Sequence, residues 1–253
     1  MSIGFRLQKI YLNSIFYLIL LVASMVVIPL FTLAMCVLAV FLPHREAMKK
    51  FRLFIRTYGL ICIKILPWPF IMVIFKDKAQ HENHNGPFIY VCNHRSSSDP
   101  FLMACLPHEL VQVVNVWPFR IPFLGIIARK AGYLSVNEMP FEEFKSKAIQ
   151  TLHDDVSIAV FPEGTRSESK KMGQFRSAMF RVALATGYPI VPVCISGNEY
   201  IPTRDFKLHP GTIRIHKLKS VPWEEYKDMT PYKLKNFIRD KIAQELVYME
   251  GEP

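Results

Sequence analysis

The hydrophobic pattern predicts one long apolar segment, followed by strands and helices that alternate to the end of the chain. Residues 10–42 contain no charged side chain. As one straight helix they would extend about 50 Å, whereas the hydrocarbon core of a bilayer is about 30 Å thick. A secretory signal peptide has an apolar core of only about 7–15 residues. We therefore interpret this segment as embedded in a membrane.

Two arrangements of the apolar segment fit the sequence. Pro29 lies near its middle, where it can kink one long helix or divide it into two half-helices. Basic residues flank both ends of the segment: Arg6, Lys9, Arg45, Lys49, Lys50 and Arg52. If both flanks are cytoplasmic, the positive-inside rule favours a re-entrant hairpin. If the segment crosses once, the denser charge after it places the rest of the chain in the cytoplasm.

The next segment, residues 51–65, mixes apolar side chains with Arg52, Arg56 and Lys64. This pattern fits a helix that lies in the membrane interface, with its basic residues towards lipid headgroups. It fits equally well a helix packed on the domain that follows. The sequence leaves both interpretations open.

The pattern changes at residue 70, after two prolines, and we divide the chain into membrane-embedded and interfacial helices (1–69) and an α/β domain (70–253). The predicted strands occupy residues 70–75, 87–92, 110–116, 133–136, 157–161, 190–195 and 212–218. The predicted helices occupy residues 100–106, 118–130, 141–152, 174–186 and a last segment that begins at Thr230-Pro231. This alternation indicates a mostly parallel or mixed sheet flanked by helices.

The net charge indicates which kind of partner the protein binds, and the cysteine pattern indicates its redox compartment. The net charge is +10, with 31 Lys+Arg against 21 Asp+Glu, which suits nucleic acid or an anionic membrane surface. No zinc-finger, RNP-like or basic heptad motif accompanies the charge, so we expect a bilayer and no nucleic acid. The five cysteines form no CxxC pair, which favours free thiols in a reducing compartment. The motifs lack metal-ligand spacing and a Gly-rich phosphate loop, so we expect no metal and no bound cofactor.

The first chemical motif is NHRSSSD at residues 93–99, directly after a predicted buried strand. Its histidine, His94, lies at a strand-to-helix turn, where α/β proteins present reactive side chains. An imidazole can remove a proton from a hydroxyl near neutral pH, and a carboxylate such as Asp99 can fix its tautomer. Alternatively, Asp99 or Ser98 only caps the following helix, and the histidine is an ordinary loop residue.

The second motif is FPEGTRS at residues 161–167, which also follows a predicted strand. Two strand-end loops of one sheet can converge on a single crevice. Gly164 permits a tight turn, and Arg166 offers a planar fork of donors suited to phosphate. Glu163 could orient an acceptor molecule or hold the arginine. The alternative is an ordinary Arg–Glu pair on a surface loop.

Together, NHxSxxD at 93–99, FPEGTRS at 161–167 and IVPV at 190–193 resemble the glycerolipid acyltransferases typified by bacterial 1-acylglycerol-3-phosphate acyltransferase. That family is characterised by four sequence blocks, which occur here in order between residue 93 and about residue 197. The resemblance covers most of residues 70–220, and the apolar N-terminus is also similar to that of the family.

The resemblance implies transfer of an acyl group from acyl-CoA or acyl-carrier protein to the hydroxyl of a lysophospholipid, foremost 1-acylglycerol-3-phosphate, giving phosphatidate. His94 would be the general base and Asp99 its partner, with no covalent enzyme intermediate. The acceptor would be bound by Ser96, Glu163, Gly164, Thr165 and Arg166. The enzyme would belong to the inner or cytoplasmic membrane, with its catalytic domain facing the cytoplasm.

The second sequence block departs from the family. A lysine is common where this chain has Asn115, and a cation is common where Asn137 and Glu138 stand. The chain then either replaces these charges or acylates a lysolipid with a different headgroup. The candidate replacements are Arg120, Arg129 and Lys130. A hypothesis from another class is a non-catalytic lipid-binding protein on the same fold, although such a protein has no need of a general base.

Overall fold

The strands of the computed structural model form one six-stranded sheet, and the structure describes residues 8, 10–79, 86–135, 137–167 and 169–251. The strands are β1 (Ile71–Asp77), β2 (Ile89–Cys92), β3 (Leu110–Gln112), β4 (Ser157–Val160), β5 (Ile190–Ser196) and β6 (Gly211–Lys217). Their order is β1-β6-β5-β2-β4-β3, and only the β5–β6 pair is antiparallel. The predicted mixed sheet is therefore confirmed.

The central strands explain the position of the two motifs. Every residue of β2, β4 and β5 is buried, as expected for apolar runs covered on both faces of a sheet. β2 is parallel to both β4 and β5 and lies between them. The loops that leave the carboxyl ends of these three strands therefore lie side by side.

Helices surround the sheet and largely agree with the predicted segments. They are α1 (Phe16–Leu38), α2 (His44–Leu60), α3 (Asp99–Leu102), α4 (Trp117–Arg120), α5 (Leu124–Lys130), α6 (Phe141–His153), α7 (Ala178–Thr186), α8 (Trp223–Tyr226) and α9 (Pro231–Gly251). The predicted helix at 118–130 is divided near Pro122 into α4 and α5. The last helix begins where predicted, and the Thr230 hydroxyl accepts a hydrogen bond from the Lys233 N–H at 3.2 Å.

Several predicted elements are shorter in the structure. The strand predicted at 87–92 begins at Ile89, and the strand predicted at 110–116 ends at Gln112. α3 has a single turn, and a 3₁₀ turn follows it. α7 begins four residues later than predicted, because the N–H of Arg176 donates to the Pro162 carbonyl at 2.8 Å and ties this segment to the preceding loop. The strand at 133–136 is reduced to one bridge, between Leu134 and Val113; residue 136 lies outside the described residues.

The apolar segment folds as one helix in the part that the structure describes. A π-helical turn, Tyr11–Ile15, leads into α1, which continues through Pro29 without dividing into half-helices. Among the described residues, Tyr11–Leu38 is the helix long and apolar enough to cross a membrane, with a mean hydropathy of 2.7. α2 packs against α1, and the ring of Phe31 stacks on that of Phe54 at 3.5 Å between centroids.

The basic residues of α2 answer the question left open for residues 51–65. Arg52 pairs through Nε with Oε1 of Glu109 at 2.6 Å, and Arg56 donates to the carbonyl of Ala104 at 3.2 Å. Both guanidinium groups therefore point into the domain. The interpretation with these arginines towards lipid headgroups is wrong, whereas Lys64 is exposed.

The N-terminal helical region and the sheet share a hydrophobic core. Leu12 and Phe16 are buried in the same cluster as Phe88, Tyr90 and Ile213 from the sheet domain. Side chains from both sides of residue 69 thus pack together, and the division into two domains at that residue stays a prediction.

The five cysteines are all unpaired, which confirms the prediction of free thiols. Cys62, Cys92 and Cys194 are buried, whereas Cys36 on α1 is exposed. The reducing compartment inferred from them stays a prediction.

Candidate active site

His94 and Asp99 form a hydrogen-bonded pair at the carboxyl end of β2. Nδ1 of His94 lies 2.7 Å from Oδ2 of Asp99. The aspartate side chain is fully buried, and the histidine side chain is 16% exposed. The histidine ring also packs on Phe161, with 4.6 Å between ring centroids. Because Nδ1 faces the carboxylate, Nε2 is the ring nitrogen left for a substrate.

The Asp99 carboxylate accepts further hydrogen bonds from the surrounding loops. Its Oδ2 accepts the backbone N–H groups of Arg95 at 2.7 Å and Ser96 at 2.9 Å. Its other oxygen, Oδ1, accepts a hydrogen bond from Nδ2 of Asn198. The motif loop is therefore folded around the aspartate, which in turn holds His94.

The predicted helix cap by Asp99 or Ser98 is wrong in its side-chain detail. α3 starts at Asp99 with Ser98 as its N-cap residue, but no side-chain hydrogen bond caps the helix. The hydroxyl of Ser98 instead donates to the carbonyl of Ile201 at 2.7 Å. The Asp99 carboxylate accepts hydrogen bonds from the motif loop instead.

Glu163 connects the two motif loops. Its Oε1 accepts the backbone N–H of His94, and its Oε2 accepts that of Gly173, both at 2.7 Å. The residue is 7% exposed. Burial raises the pKa of Glu163, and the two N–H donors act in the opposite direction. Since each oxygen has a backbone partner, this geometry favours a supporting role over direct contact with an acceptor.

A large cavity opens beside His94. It has a volume of about 1670 Å³, and its lining includes Gly164, Thr165 and Arg166 from the second motif. Residues of α1 and α2 also line the cavity, and most of the lining surface is apolar. Ser96 and Glu163 do not line this cavity. His94 and Arg166 therefore line the same, mostly apolar cavity.

Ser96 points away from the cavity. It is 2% exposed, and its hydroxyl donates to the carbonyls of Ile201 at 3.2 Å and Pro202 at 3.1 Å. Its side chain therefore joins the motif loop to the loop after β5.

The three cations considered as replacements in the second block do not line the cavity: Arg120, Arg129 and Lys130. Arg129 lies 3.5 Å from a carboxylate oxygen of Glu138. Asn115 and Asn137 do line the cavity, and Nδ2 of Asn137 is 3.4 Å from Oδ1 of Asn115. Uncharged amides therefore stand in the cavity wall at the two departures from the family pattern.

Sequence reasoning missed three residues around the site. Asn198 follows β5 just as His94 follows β2, which is the one signal that could have identified it. Arg95 belongs to the motif itself but was assigned no role; its guanidinium is buried and pairs with Glu199. Arg176 lines the cavity, and no local pattern distinguishes it from a surface arginine.

The fold and the family follow from comparisons with known proteins. The crystal structure of PlsC, the 1-acyl-sn-glycerophosphate acyltransferase of Thermotoga maritima, has a similar fold, with a TM-score of 0.76 and 22% identity over 98% of this chain and 96% of that one. Residues 71–196 match the protein family described as Acyltransferase. These residues therefore form a domain of that family.

Curated relatives are named 1-acyl-sn-glycerol-3-phosphate acyltransferase. The Cocos nucifera protein is 25% identical over 199 residues, which cover 68% of this chain and 65% of the relative. The Salmonella typhimurium protein is 26% identical over 206 residues, which cover 78% of this chain and 82% of the relative. The match to the chloroplastic LPAT1 of Arabidopsis thaliana spans only 44% of that protein. The chain thus spans less than two thirds of the coconut and Arabidopsis relatives.

Proposed function

We propose that this protein transfers a fatty acyl group from acyl-CoA or acyl-carrier protein to the free hydroxyl of a lysophospholipid. The proposed acceptor is 1-acylglycerol-3-phosphate and the product is phosphatidate. The observation that carries the proposal is the 2.7 Å His94–Asp99 pair beside an apolar cavity that Arg166 also lines. The names of the curated relatives support the choice of acceptor.

In the proposed reaction, Nε2 of His94 removes the proton from the acceptor hydroxyl as its oxygen attacks the thioester carbonyl. The new ester C–O bond forms, and the tetrahedral intermediate then expels the thiolate as the C–S bond breaks. The imidazolium returns its proton to that sulfur. Asp99 holds the ring and stabilises its positive charge. A general base of this kind contributes about 10²–10⁴-fold to the rate, and positioning the two substrates supplies further acceleration.

The acceptor headgroup is proposed to bind at Gly164, Thr165 and Arg166, which line the cavity beside His94. A guanidinium recognises a phosphate through two parallel hydrogen bonds. Glu163 and Ser96 act through the loops that they hold.

Lipid substrates are proposed to enter from the membrane in which the apolar helix α1 is embedded. α1 forms part of the cavity wall, so an acyl chain can pass from bilayer to site without crossing water. The basic residues that flank the apolar segment favour a cytoplasmic position for the catalytic domain at the inner or cytoplasmic membrane.

The test is acyl transfer by the purified full-length protein in lipid vesicles. Labelled acyl-CoA and acyl-carrier protein are offered with a panel of lysolipids that differ in headgroup. We expect transfer to 1-acylglycerol-3-phosphate, and a loss of at least about 10²-fold in His94→Ala. His153→Ala is the matched control, because His153 is exposed at the end of α6.

Absence of transfer to every acceptor, or transfer unaffected by His94→Ala, would contradict the proposal. Lipid binding without turnover, unchanged in the same variant, would favour the non-catalytic lipid-binding protein. Preference for a lysolipid with another headgroup would support the proposed acyl transfer but contradict the proposed acceptor.

A further inference from the structure

Arg176 is held against the FPEGTRS loop by two contacts. Its backbone N–H donates to the carbonyl of Pro162 at 2.8 Å. Its guanidinium lies over Gly164, with Nε 2.8 Å and Cζ 2.9 Å from the position that a Cβ atom at this glycine would take. The glycine, whose φ is +73°, leaves the space that the guanidinium occupies. The arginine thereby becomes part of the loop beside His94.

Arg176 differs from Arg52 and Arg56, two other arginines of the cavity wall. The basic side chains that line the cavity are Lys49, Lys50, Arg52, Arg56, Arg166 and Arg176. Arg52 and Arg56 are turned into the domain by the partners described above, and the two lysines lie on the first half of α2. Within the part of the chain that the structure describes, the guanidinium of Arg176 has no hydrogen-bond or ion-pair partner.

A phosphate monoester presents more charge than one arginine neutralises. Its second pKa is about 6, so it carries a charge of about −1.5 to −2 at pH 7, whereas a phosphodiester carries one negative charge. Asn115 and Asn137 in the cavity wall contribute no charge. We propose that Arg176 and Arg166 together bind the dianionic phosphomonoester of the acceptor, so that Arg176 selects phosphomonoester over phosphodiester lysolipids. This inference rests on the proposed function.

The test compares two acceptors, 1-acylglycerol-3-phosphate and the phosphodiester 1-acylglycerophosphoglycerol. Steady-state kcat and KM are measured for the full-length protein, Arg176→Ala and Arg176→Lys. In Arg176→Ala, we expect KM for the phosphomonoester to rise about 10- to 100-fold, the range of a lost charge-assisted contact. In the same variant, kcat for the phosphomonoester and KM for the phosphodiester should each change less than about threefold. Arg176→Lys retains the charge, and because a lysine binds phosphate as a point charge, this variant should recover most of the selectivity.

The matched control is Arg181→Ala. Arg181 is an exposed arginine of α7 that packs over Phe141 and does not line the cavity. This variant should behave as the parent with both acceptors. An unchanged KM in Arg176→Ala, an equal rise for both acceptors, or a loss confined to kcat would overturn the assignment.

A binding measurement separates this inference from the proposed function. Vesicles containing 1-acylglycerol-3-phosphate are titrated onto His94→Ala protein, with and without Arg176→Ala. We expect about 10-fold or more weaker binding in the double variant at pH 8, and a smaller difference at pH 5, where the phosphate is a monoanion. Equal binding overturns the role of Arg176, whereas inactivity of the parent protein with every lysolipid overturns only the proposed function.

Discussion

The side-chain amide of Asn198 donates a hydrogen bond to Oδ1 of Asp99, the carboxylate oxygen that does not face His94. Asn198 is fully buried and follows β5, the strand that pairs with β2. Since Oδ2 is held by His94 and by two backbone N–H groups, a bond to Oδ1 fixes the rotation of the carboxylate. The orientation of the histidine therefore depends on the loop after β5 as well as on its own motif.

Asn198→Ala is expected to lower kcat about 10-fold and to change the acceptor KM less than twofold. The variant leaves Oδ1 of Asp99 buried without its donor, which costs about 1–3 kcal/mol. A loss of about 1.4 kcal/mol in orienting the base corresponds to a factor of ten in rate. Steady-state acyl transfer measures both constants, and an unchanged kcat would show that Asn198 does not position the pair.

Exchanging the side chains of Asp99 and Asn198 distinguishes their effect on stability from their effect on catalysis. Asp99→Asn turns an amide towards the amide of Asn198, whereas Asp99→Asn with Asn198→Asp restores a donor and an acceptor in reversed order. We expect the double variant to regain much of the thermal stability lost in Asp99→Asn. Its kcat should stay about 10²–10⁴-fold below that of the parent, because the carboxylate no longer faces His94. Recovery of kcat in the double variant would contradict the assigned role of Asp99.

Glu163→Gln is expected to reduce both stability and kcat. A glutamine has one acceptor oxygen, so one of the N–H groups of His94 and Gly173 loses its partner. We expect the free energy of unfolding to fall by about 1 kcal/mol, with a lower kcat because one of these donors belongs to the base itself. Chemical denaturation and steady-state kinetics test this. The control is Glu142→Gln, since that side chain is 80% exposed. A rise in acceptor KM without loss of stability would instead indicate that Glu163 binds the headgroup.

The sequence was informative where chemistry is local or follows from strand order. His94 and Asp99 are five residues apart in one turn after a buried strand, so a contact between them was predictable from spacing. The convergence of this loop with the one around Arg166 followed from the alternation of strands and helices, which makes β2 and β4 parallel neighbours. Both predictions needed only local pattern and the rule that parallel strands end at one edge of a sheet.

Contacts between distant parts of the chain could not be predicted in this way. Glu163 accepts a hydrogen bond from the N–H of His94, which is 69 residues away in the sequence. Arg52 donates to Glu109, which is 57 residues away. A basic residue on an amphipathic helix has the same sequence pattern whether it faces a lipid headgroup or a distant carboxylate. Asn198 leaves no periodic signal, because its role depends on a partner 99 residues away.

His108 gives the folded protein a pH-dependent stability near neutrality. Its Nδ1 lies 2.5 Å from the hydroxyl of Tyr90. Burial, assisted by the positive charge of Lys217, lowers the pKa of His108 below its ordinary value of 6.5. The unfolded chain therefore takes up a proton first as the pH falls, and stability is lost below about pH 6.5 down to the lowered pKa.

Replacing His108 should remove this contribution. We expect the free energy of unfolding of His108→Gln to fall less between pH 7 and pH 5 than that of the parent, because glutamine does not titrate and can still accept from Tyr90. Denaturant titrations at pH 5, 6 and 7 measure the difference. His153→Gln should retain the slope of the parent, since His153 is exposed. Parallel slopes for the parent and His108→Gln would contradict the prediction.

Arg95 connects the motif loop to the last helical turn. Its guanidinium, 2% exposed, pairs with Glu199. Its Nη2 donates to Oε1 of Glu250 at 2.7 Å and to the carbonyl of Lys170 at 2.9 Å. Glu250 lies at the end of α9 and is 25% exposed, whereas the side chain of Glu199 is 6% exposed. The residue next to the base is thus held by groups far away in the sequence.

Arg95→Met is expected to lower the free energy of unfolding by about 3–5 kcal/mol, because it leaves the carboxylate of Glu199 buried without its partner. Glu250→Gln should cost only about 1 kcal/mol, since that carboxylate is partly hydrated. The two losses of unfolding free energy should not add in the double variant, because Arg95→Met alone already breaks the Arg95–Glu250 pair. Denaturant unfolding of the four proteins measures this coupling, with Arg181→Met as the exposed control. Additive effects would mean that Glu250 does not hold Arg95, and that the end of α9 does not support the loop carrying His94.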